Sequence, residues 1–483
     1  MSHFACRLAV SLIAASLLST NAVGAEEDRT VQLLKALLRM NTVNAPGDTR
    51  PVANHLEALF DAAGIENQIV LAPNGQAAHF IARLKGDGSK RPVLVAAHTD
   101  VVPVERDRWS VDPFGAVEKD GFIYGRGALD NKSAVAAFAQ AVIRLKQENV
   151  RLARDIIFLA EADEEQGQFN TSWLAREHWA LIDAEFALNE GGSTQWDATG
   201  AVRSVAVSYA DKLTVNLRLT ATGGSGHSSR PLPVGSTANG QLIGALARLT
   251  AHETRIQLTE PVRQYLRALG QQKPKPFGEA VERLLDAREP AELAACARDL
   301  VAQEDGGWGL EGLLRNTFVV TMINSGVKPN VIPGSAQAVL NARLLPGNTV
   351  DDFIQEITRV IGDPRIQIEI VSGRAEPDVA TYYRARSQIA PSPLDTDLYA
   401  AIQGSAKSVW PKATVMPMLL VASTDATPWR ERGIPVYGIG PFPVDADAAR
   451  RVHGDDERVA VAAVQQGSQF VYRILRSVAA RKN

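Results

Sequence analysis

Apolar and polar residues follow two different periods along the chain, and each period predicts one kind of element. In the first part of the sequence, helical spacing of apolar residues predicts helices at 31–38, 52–63 and 133–145. Short continuous apolar runs predict buried strands at 93–97, 155–160 and 184–188. Because helices and strands alternate in this way, the sequence favours an α/β fold.

The pattern changes near Lys212, where apolar residues begin to alternate with polar ones. Alternation over 213–219 is typical of a strand with one covered face. The pattern that follows predicts helix, strand, strand, helix and strand at 239–249, 318–324, 337–345, 350–361 and 366–370. This order is that of a ferredoxin-like α+β unit, with a polar helical insertion at 261–314.

Buried-strand patterns return after residue 376, at 415–421 and 435–440, and a final helix is predicted over 456–478. The sequence therefore predicts one discontinuous α/β domain made of residues 26–210 and 376–483. A second domain, residues 211–375, is inserted between its two parts.

The first 25 residues carry the pattern of a secretory signal peptide. Arg7 supplies the positive charge, residues 8–18 form an apolar stretch, and small residues at 23–25 precede Glu26. The apolar stretch is shorter than the ~20 residues that span a bilayer. We expect a secreted, periplasmic protein that keeps no stable membrane anchor after signal cleavage.

Charge and cysteine content exclude one class of partner and two classes of cysteine-based structure. The chain has 51 Lys+Arg against 54 Asp+Glu and a net charge of −3, so it lacks the basic excess expected of a nucleic-acid partner. Its 2 cysteines, Cys6 and Cys296, are too few for a disulfide scaffold or a thiolate zinc site. Any metal must therefore be held by His, Asp and Glu.

Such residues follow the predicted strands or precede the predicted helices. Taken singly, each has an ordinary interpretation: a surface histidine, a capped turn or a solvated acidic loop. Together they suggest one site at the carboxyl edge of the sheet. They fall in five groups, 98–100, 125–132, 161–167, 190–192 and 453–456, which include His98, Asp100, Asp130, Glu164, Glu165, Glu190 and His453, so one ligand from each group gives five. Asp100 lies two residues after His98 in extended chain, so its carboxylate is expected to orient the imidazole.

This donor set indicates a particular class of metal site. Carboxylates mixed with two imidazoles suit Zn²⁺, with Co²⁺ or Mn²⁺ as substitutes. A catalytic zinc takes three protein ligands and a water, so five ligands are too many for one ion. They fit two ions if one carboxylate bridges them, at a separation of about 3.5–4 Å.

The ordered set of motifs resembles the zinc aminoacylase and carboxypeptidase family over roughly Val31 to Val478. That family includes glutamate carboxypeptidase, acetylornithine deacetylase, succinyl-diaminopimelate desuccinylase and carboxypeptidase S. Size and the stretch from Trp109 to Asp130 resemble the carboxypeptidase S-like and N-acyl-amino-acid hydrolase branch most. The resemblance implies a discontinuous zinc-peptidase catalytic domain with an inserted ferredoxin-like lid or dimerisation domain.

The resemblance also implies a role for each residue of the site. His98 and Glu190 would bind one zinc ion, Glu165 and His453 the other, and Asp130 would bridge both. Glu164 would be the general base that acts on a water between the ions. The peptide bond after the bridging aspartate, Asp130–Asn131, would be cis.

Four further residues match motifs of the family outside the proposed metal centre. His227, in the loop 223–228, would stabilise the oxyanion, often from a partner subunit or after lid closure. Asn330 would lie near the substrate, and Arg343 would grip the substrate carboxylate. The turn 423–430 departs from the family pattern, because Ser423 replaces a usual glycine and the expected arginine is displaced to Arg430.

These observations predict a dinuclear zinc hydrolase with two Zn²⁺ per subunit that cleaves short peptides or dipeptides with a free carboxyl terminus. An N-acyl-amino-acid hydrolase is the alternative, and a non-catalytic binding protein on the same fold is a remote one. A sheet edge of the inserted domain is expected to form a homodimer. If the segment 261–314 covers that edge, a monomer with a moving lid is expected instead.

Overall fold

The computed structural model of the protein describes residues 29–303, 309–372 and 378–481, so the predicted signal peptide lies outside it. The helices are α1 (29–38), α2 (Arg50–Ala62), α3 (Lys132–Gln147), α4 (Thr171–Glu177), α5 (Trp179–Ile182), α6 (Ala238–Thr250), α7 (Glu260–Gly270), α8 (Lys275–Asp286), α9 (Pro290–Val301), α10 (Leu310–Leu314), α11 (Val350–Ile361), α12 (Val379–Arg386), α13 (Asp397–Val409), α14 (Thr427–Arg430), α15 (Ala446–Ala449) and α16 (Val461–Ala479).

The strands fall into one large sheet and three smaller ones. They are β1 (Glu66–Leu71), β2 (Ala78–Leu84), β3 (Val93–His98), β4 (Val117–Lys119), β5 (Phe122–Tyr124), β6 (Ile156–Glu161), β7 (Phe186–Asn189), β8 (Ser193–Trp196), β9 (Val202–Asp211), β10 (Leu213–Thr222), β11 (Gly226–His227), β12 (Thr317–Ser325), β13 (Val331–Ile332), β14 (Ser335–Leu344), β15 (Gln367–Val371), β16 (Thr414–Leu420), β17 (Val436–Gly438), β18 (Pro443–Val444) and β19 (Arg458–Ala460).

The large sheet has ten strands in the order β1-β2-β6-β3-β7-β17-β9-β8-β18, and β16 pairs with β9. Its centre is parallel, because β3 pairs in parallel with both β6 and β7, and β17 pairs in parallel with β7. Every residue of β3 and β6 is buried, as their continuous apolar runs predict. The carboxyl ends of the central strands therefore lie at one edge of the sheet.

Helices cover both faces of the large sheet. On one face α3, α13 and α16 pack together over a core that includes Phe138, Phe158 and Phe470. On the other face α4, α5 and α14 pack over a smaller core that includes Trp173 and Trp429. This is the α/β architecture that the alternating pattern predicts.

The inserted unit is a four-stranded antiparallel sheet in the order β12-β14-β10-β15. The buried face of β10, with Val215 and Leu217, packs with Leu242 of α6 and Phe353 of α11. Two central strands, β10 and β14, are flanked by β12 and β15, which is the ferredoxin-like arrangement that the sequence predicts.

The insertion helices α7, α8 and α9 pack on the large sheet. They share a core cluster with Tyr209 of β9 and Leu419 of β16. Val319, Met322 and Ile323 of the edge strand β12 remain exposed. Among the described residues, the insertion therefore covers the large sheet and not the edge of the inserted one.

Candidate metal centre

The carboxyl edge of the large sheet brings together segments that are distant in sequence. His98 ends β3 and lies opposite Glu161, which ends β6, so the acidic loop that follows β6 begins beside the histidine. Glu190 follows β7, the neighbour of β3 on its other side. A Cβ on Gly438 would lie 2.0 Å from the Glu190 carbonyl oxygen, so glycine lets β17 approach this segment.

Asp130 lies between two histidines at this edge. Its Oδ1 is 2.8 Å from Nε2 of His98, and its Oδ2 is 2.9 Å from Nε2 of His453. Glu190 Oε2 lies 3.4 Å from His98 Nε2, and Glu165 Oε1 lies 3.0 Å from His453 Nε2. The structure thus brings together the residues that the sequence predicts as metal ligands, with one imidazole on each oxygen of Asp130.

Glu164 belongs to the same cluster. Ligand atoms of His98, Asp130 and Glu165 lie within 4.8 Å of one another, and so do those of His98, Glu164 and Glu190. The described part of the chain therefore offers two overlapping donor groups that share His98. This arrangement fits two cations better than one, because a single ion leaves donors unused.

The buried carboxylates of the cluster need positive charge nearby to stay ionised. Burial, together with nearby Asp425 and Glu190, raises the pKa of Glu164 well above its usual range. Burial also raises the pKa of Glu190, although His98 opposes it. Hydrogen bonds to Asp130 and Glu165 raise the pKa of His453 to about 10. Imidazolium charge balances these carboxylates here, and a divalent cation would balance them equally well.

Asp100 acts differently from the sequence-based expectation. Its backbone carbonyl accepts the hydrogen bond from His98 Nδ1 at 2.9 Å, whereas its carboxylate oxygen is 3.8 Å from that nitrogen. The carboxylate instead accepts the backbone N–H groups of Glu164 and Glu165, each at 3.1 Å. Asp100 therefore orients His98 through the main chain and holds the turn of the two glutamates through its side chain.

The peptide bond Asp130–Asn131 is cis, as expected from the family resemblance. The Asn131 side-chain amide donates a hydrogen bond to Glu190 Oε2. Asn131 thus links the segment that bears Asp130 to Glu190, which lies beside His98.

His227 and Asn330 lie together on the inserted unit. Strand β11 pairs with β13, which places His227 opposite Val331. The His227 ring contacts Ser229 of its own loop at 2.8 Å, and Ser228 donates to the Asn330 carbonyl. Both residues are exposed, and within the described chain neither forms a hydrogen bond with a residue of the metal-ligand cluster.

Arg343 lines a cavity of about 420 Å³ between the two sheets, and Glu164 lines the same cavity. Arg430 does not. Its guanidinium is buried, with Nη1 2.6 Å from Asp211 and Nη2 donating to the Val436 carbonyl. The prediction that Arg430 contacts substrate is corrected accordingly, because a carboxylate of the chain itself already occupies its guanidinium.

The comparisons with known proteins agree with this geometry. A family model described as Peptidase family M20/M25/M40 matches residues 94–477. The chain belongs to this family. It is thus a metal-dependent hydrolase of the peptidase and aminoacylase type, an enzyme that acts on amide bonds.

Two curated relatives and one solved structure illustrate the similarity. The chain is 27% identical to the N-fatty-acyl-amino acid synthase/hydrolase of Mus musculus, covering 87% of this chain and 80% of that one. It is 28% identical to Aminoacylase-1 of Sus scrofa, covering 94% and 96%. The M20 family metallo-carboxypeptidase Sso-CP2 of Sulfolobus solfataricus superposes with a TM-score of 0.64 at 19% identity, covering 93% and 99%, which shows a shared fold.

Two residues that organise this M20 site carry no sequence motif. Fully buried His79 accepts the Ala162 N–H at Nδ1 and donates from Nε2 to the Phe169 carbonyl at 2.8 Å. It therefore joins both ends of the loop that bears Glu164. Its single signal in the sequence is a histidine in a strand whose other residues, apart from Arg83, are apolar.

The second is Glu457, which is fully buried. Its carboxylate accepts backbone N–H groups of Gly127, Leu129 and Asp130, and it pairs with Arg126. The acidic run before the last helix is the only sequence signal for this residue, and it does not distinguish Glu457 from its neighbours.

Proposed function

We propose that this M20-family protein is a dinuclear zinc exopeptidase that cleaves short peptides or dipeptides with a free carboxyl terminus. The observation that carries the proposal is the position of His98 and His453 on opposite oxygens of Asp130. A carboxylate with an imidazole at each oxygen is suited to bridge two ions, each of which also has a glutamate nearby.

In this proposal His98 and Glu190 would hold one zinc ion, Glu165 and His453 would hold the other, and Asp130 would be shared by both. Hard carboxylate oxygens combined with imidazole nitrogens suit Zn²⁺, and Co²⁺ or Mn²⁺ can replace it. The bound ions supply Lewis acidity, which lowers the pKa of a water and polarises the scissile carbonyl.

Glu164 is the proposed general base. It lines the cavity between the sheets, and its backbone N–H is held by the Asp100 carboxylate. Its Oε atoms take a proton from the attacking water and return it to the leaving amine. Burial favours the protonated carboxyl group, so Glu164 is suited to hold that proton between the two steps.

Arg343 is the proposed partner of the substrate carboxylate. It extends from β14 into the cavity that Glu164 lines, and no described residue forms an ion pair with it. A guanidinium that binds a carboxylate in a bidentate manner would select substrates with a free carboxyl terminus. Asn330 lies on the same inserted unit and is proposed to contact the substrate after the unit closes or dimerises.

An N-acyl-amino-acid hydrolase is the second candidate, and one structural feature favours it. A cavity of about 410 Å³ between α7, α8 and the large sheet is lined by apolar side chains that include Phe277, Met416 and Met418. Ser193, three residues after Glu190, also lines it. An apolar acyl chain fits such a lining, and the mouse relative's name refers to fatty-acyl amino acids.

We also propose that the protein is exported and acts in the periplasm, because residues 1–25 resemble a signal peptide. Among the described residues, no helix has both the length and the apolar character needed to cross a membrane.

A substrate panel tests the proposed function. The zinc-loaded mature protein is incubated with free-acid dipeptides, their carboxyl-terminal amides and N-acyl amino acids, and products are followed by mass spectrometry. Cleavage of the free acids with the amides spared is the expected result. Cleavage confined to N-acyl amino acids establishes the second candidate, and cleavage of the amides as rapidly as the acids contradicts a carboxylate requirement.

A further inference from the structure

The cavity that holds Glu164 has a second arginine that the sequence analysis does not identify. Arg386, at the end of α12, lines it together with Arg343 from β14. Glu164 and Asp425 provide the acidic part of the lining, and the two guanidinium groups provide the basic part. The cavity therefore has one cation more than the recognition of a single terminal carboxylate requires.

Arg386 is fixed in position without a carboxylate partner. Its Nη2 donates to Thr427 Oγ1 at 2.7 Å, and its Nη1 donates to the Tyr382 hydroxyl at 3.2 Å. Its Nε is buried and has no hydrogen-bond partner among the described residues. Each Nη of a guanidinium carries two N–H groups and uses one of them here among the described residues, so Arg386 keeps donors for an acceptor brought by a ligand.

Arg343 and Arg386, which are partly buried, differ from the buried arginines among the described residues. Carboxylates of the protein lie within ion-pair distance of each of them, in the pairs Arg126–Glu457, Arg154–Glu185, Arg315–Glu253 and Arg430–Asp211. Neither Arg343 nor Arg386 has such a partner within the described ranges. A guanidinium that has lost part of its water is stabilised when it is paired, and these two, each partly buried, line one cavity.

We propose that the cavity binds substrates with two carboxylates, one on Arg343 and one on Arg386. Since this rests on the proposed function, Arg343 takes the terminal carboxylate and Arg386 takes the carboxylate of an acidic side chain on the released amino acid. Arg386 is then a specificity-determining residue. A second carboxylate could also arrive on the acyl side, as in an N-succinyl amino acid, and the experiment separates these two sources.

The test compares substrates that differ only in the second charge. The ratio of kcat/KM for alanyl-glutamate to alanyl-glutamine is measured for the zinc-loaded wild type and for Arg386→Gln. Loss of a charge-assisted hydrogen bond pair is expected to lower this ratio about 10- to 100-fold. Arg384→Gln is the matched control, because Arg384 is exposed on the same helix and pairs with Asp351, so the ratio should not change.

A second variant covers the case in which Arg386→Gln does not fold. Thr427→Val keeps the side-chain shape but removes the hydrogen bond that orients Arg386, so the glutamate preference should fall several-fold. The acyl-side source is tested with N-succinyl-alanine against N-butyryl-alanine. If Arg386→Gln changes the substrate preference in this N-acyl pair but not in the dipeptide pair, the second carboxylate binds on the acyl side.

A binding measurement separates failure of this inference from failure of the proposed function. Calorimetric titration of glutarate against its monoamide needs no turnover. If no substrate is cleaved but glutarate binds preferentially and loses that preference in Arg386→Gln, the subsite stands and the proposed function falls. If dipeptides are cleaved with equal kcat/KM and neither the acyl pair nor glutarate shows a preference, the proposed function stands and the subsite is overturned.

Discussion

Arg126 and Glu457 form a buried ion pair of 2.7 Å that joins two segments of the metal centre. The Glu457 carboxylate also accepts the backbone N–H of Asp130, while Arg126 Nη2 donates to the carbonyls of His453 and Gly454. One ion pair thus fixes the Asp130 carboxylate relative to the His453 imidazole. The geometry of the candidate metal centre thus depends on residues that are not among its predicted ligands.

Glu457→Gln is expected to lower both stability and metal affinity. The substitution leaves Arg126 buried without a countercharge, which typically costs about 3–5 kcal/mol in the free energy of unfolding. Zinc affinity should fall about 10- to 100-fold, because the segment holding Asp130 loses its anchor. Denaturant unfolding and competitive zinc titration measure the two effects.

The exposed pair Arg218–Glu369 provides the control for this variant. Glu369→Gln should change the free energy of unfolding by less than about 1 kcal/mol and leave zinc affinity unchanged. If Glu457→Gln behaves like this control, the buried pair does not organise the centre.

Glu164→Gln is expected to abolish most of the turnover while zinc remains bound. The amide is nearly isosteric with the carboxyl group but cannot accept the proton of the attacking water, so kcat should fall by about 10²–10⁴-fold. Metal content is measured by elemental analysis on the same preparation, and Asp130→Asn, which should lose zinc, is the contrasting variant. Turnover within tenfold of wild type would falsify the assignment of Glu164 as the base.

His79 should make stability depend on pH on the acidic side of neutrality. Burial lowers the pKa of His79 to about 4, against the ordinary value of 6.5 for an exposed histidine. Between these values the unfolded state binds the extra proton, so the contribution of His79 is complete above pH 6.5 and is lost as the pH falls towards 4. The difference corresponds to about 3 kcal/mol.

The measurement is the free energy of unfolding of wild type and His79→Gln between about pH 4 and pH 7.5. The wild type should be the more stable protein at pH 7.5, and the gap between the two should narrow as the pH is lowered. His55→Gln, at a partly exposed position outside the acidic loop, is the control. Parallel curves for wild type and His79→Gln would show that the buried imidazole is not the source of the acid sensitivity.

Sequence patterns predict the centre well where chemistry follows a recognisable element. His98, Glu164, Glu165 and Glu190 come directly after continuous apolar runs, and parallel strands bring the ends of such runs together. Strand-like alternation and helical spacing over 213–370 likewise predict the ferredoxin-like unit. Strand β1 is less evident, because most of its residues are partly or fully exposed and the strand lies at the edge of the sheet.

The residues that the sequence does not reveal depend on partners far away along the chain. Arg430 is the displaced arginine of the turn 423–430, and Asp211 at the end of β9 already pairs with its guanidinium. Arg386 lies on a short helix with no motif, and only the fold places it beside Arg343. Local patterning cannot specify these pairings, because they arise when separate segments of the chain meet in three dimensions.

His227 is expected to act on the neighbouring subunit of a homodimer. It is exposed and forms no hydrogen bond with the described cluster of its own chain, while the edge strand β12 of the same unit exposes Val319, Met322 and Ile323 at 64%, 55% and 62%. An exposed apolar edge strand is suited to pair with its symmetry copy. Ile323→Lys should therefore give a monomer by light scattering and lose turnover along with the dimer.

Mixing two inactive variants tests whether His227 acts between subunits. His227→Ala should lower kcat by about 10²–10³-fold, because an oxyanion donor is removed. In a mixed dimer of His227→Ala with Glu164→Gln, one of the two sites receives an intact Glu164 and an intact His227. Co-refolded equimolar mixtures should thus recover about a quarter of wild-type turnover. No recovery, from mixtures shown to contain mixed dimers, would place His227 in the site of its own chain, which the inserted unit would then have to reach by closing.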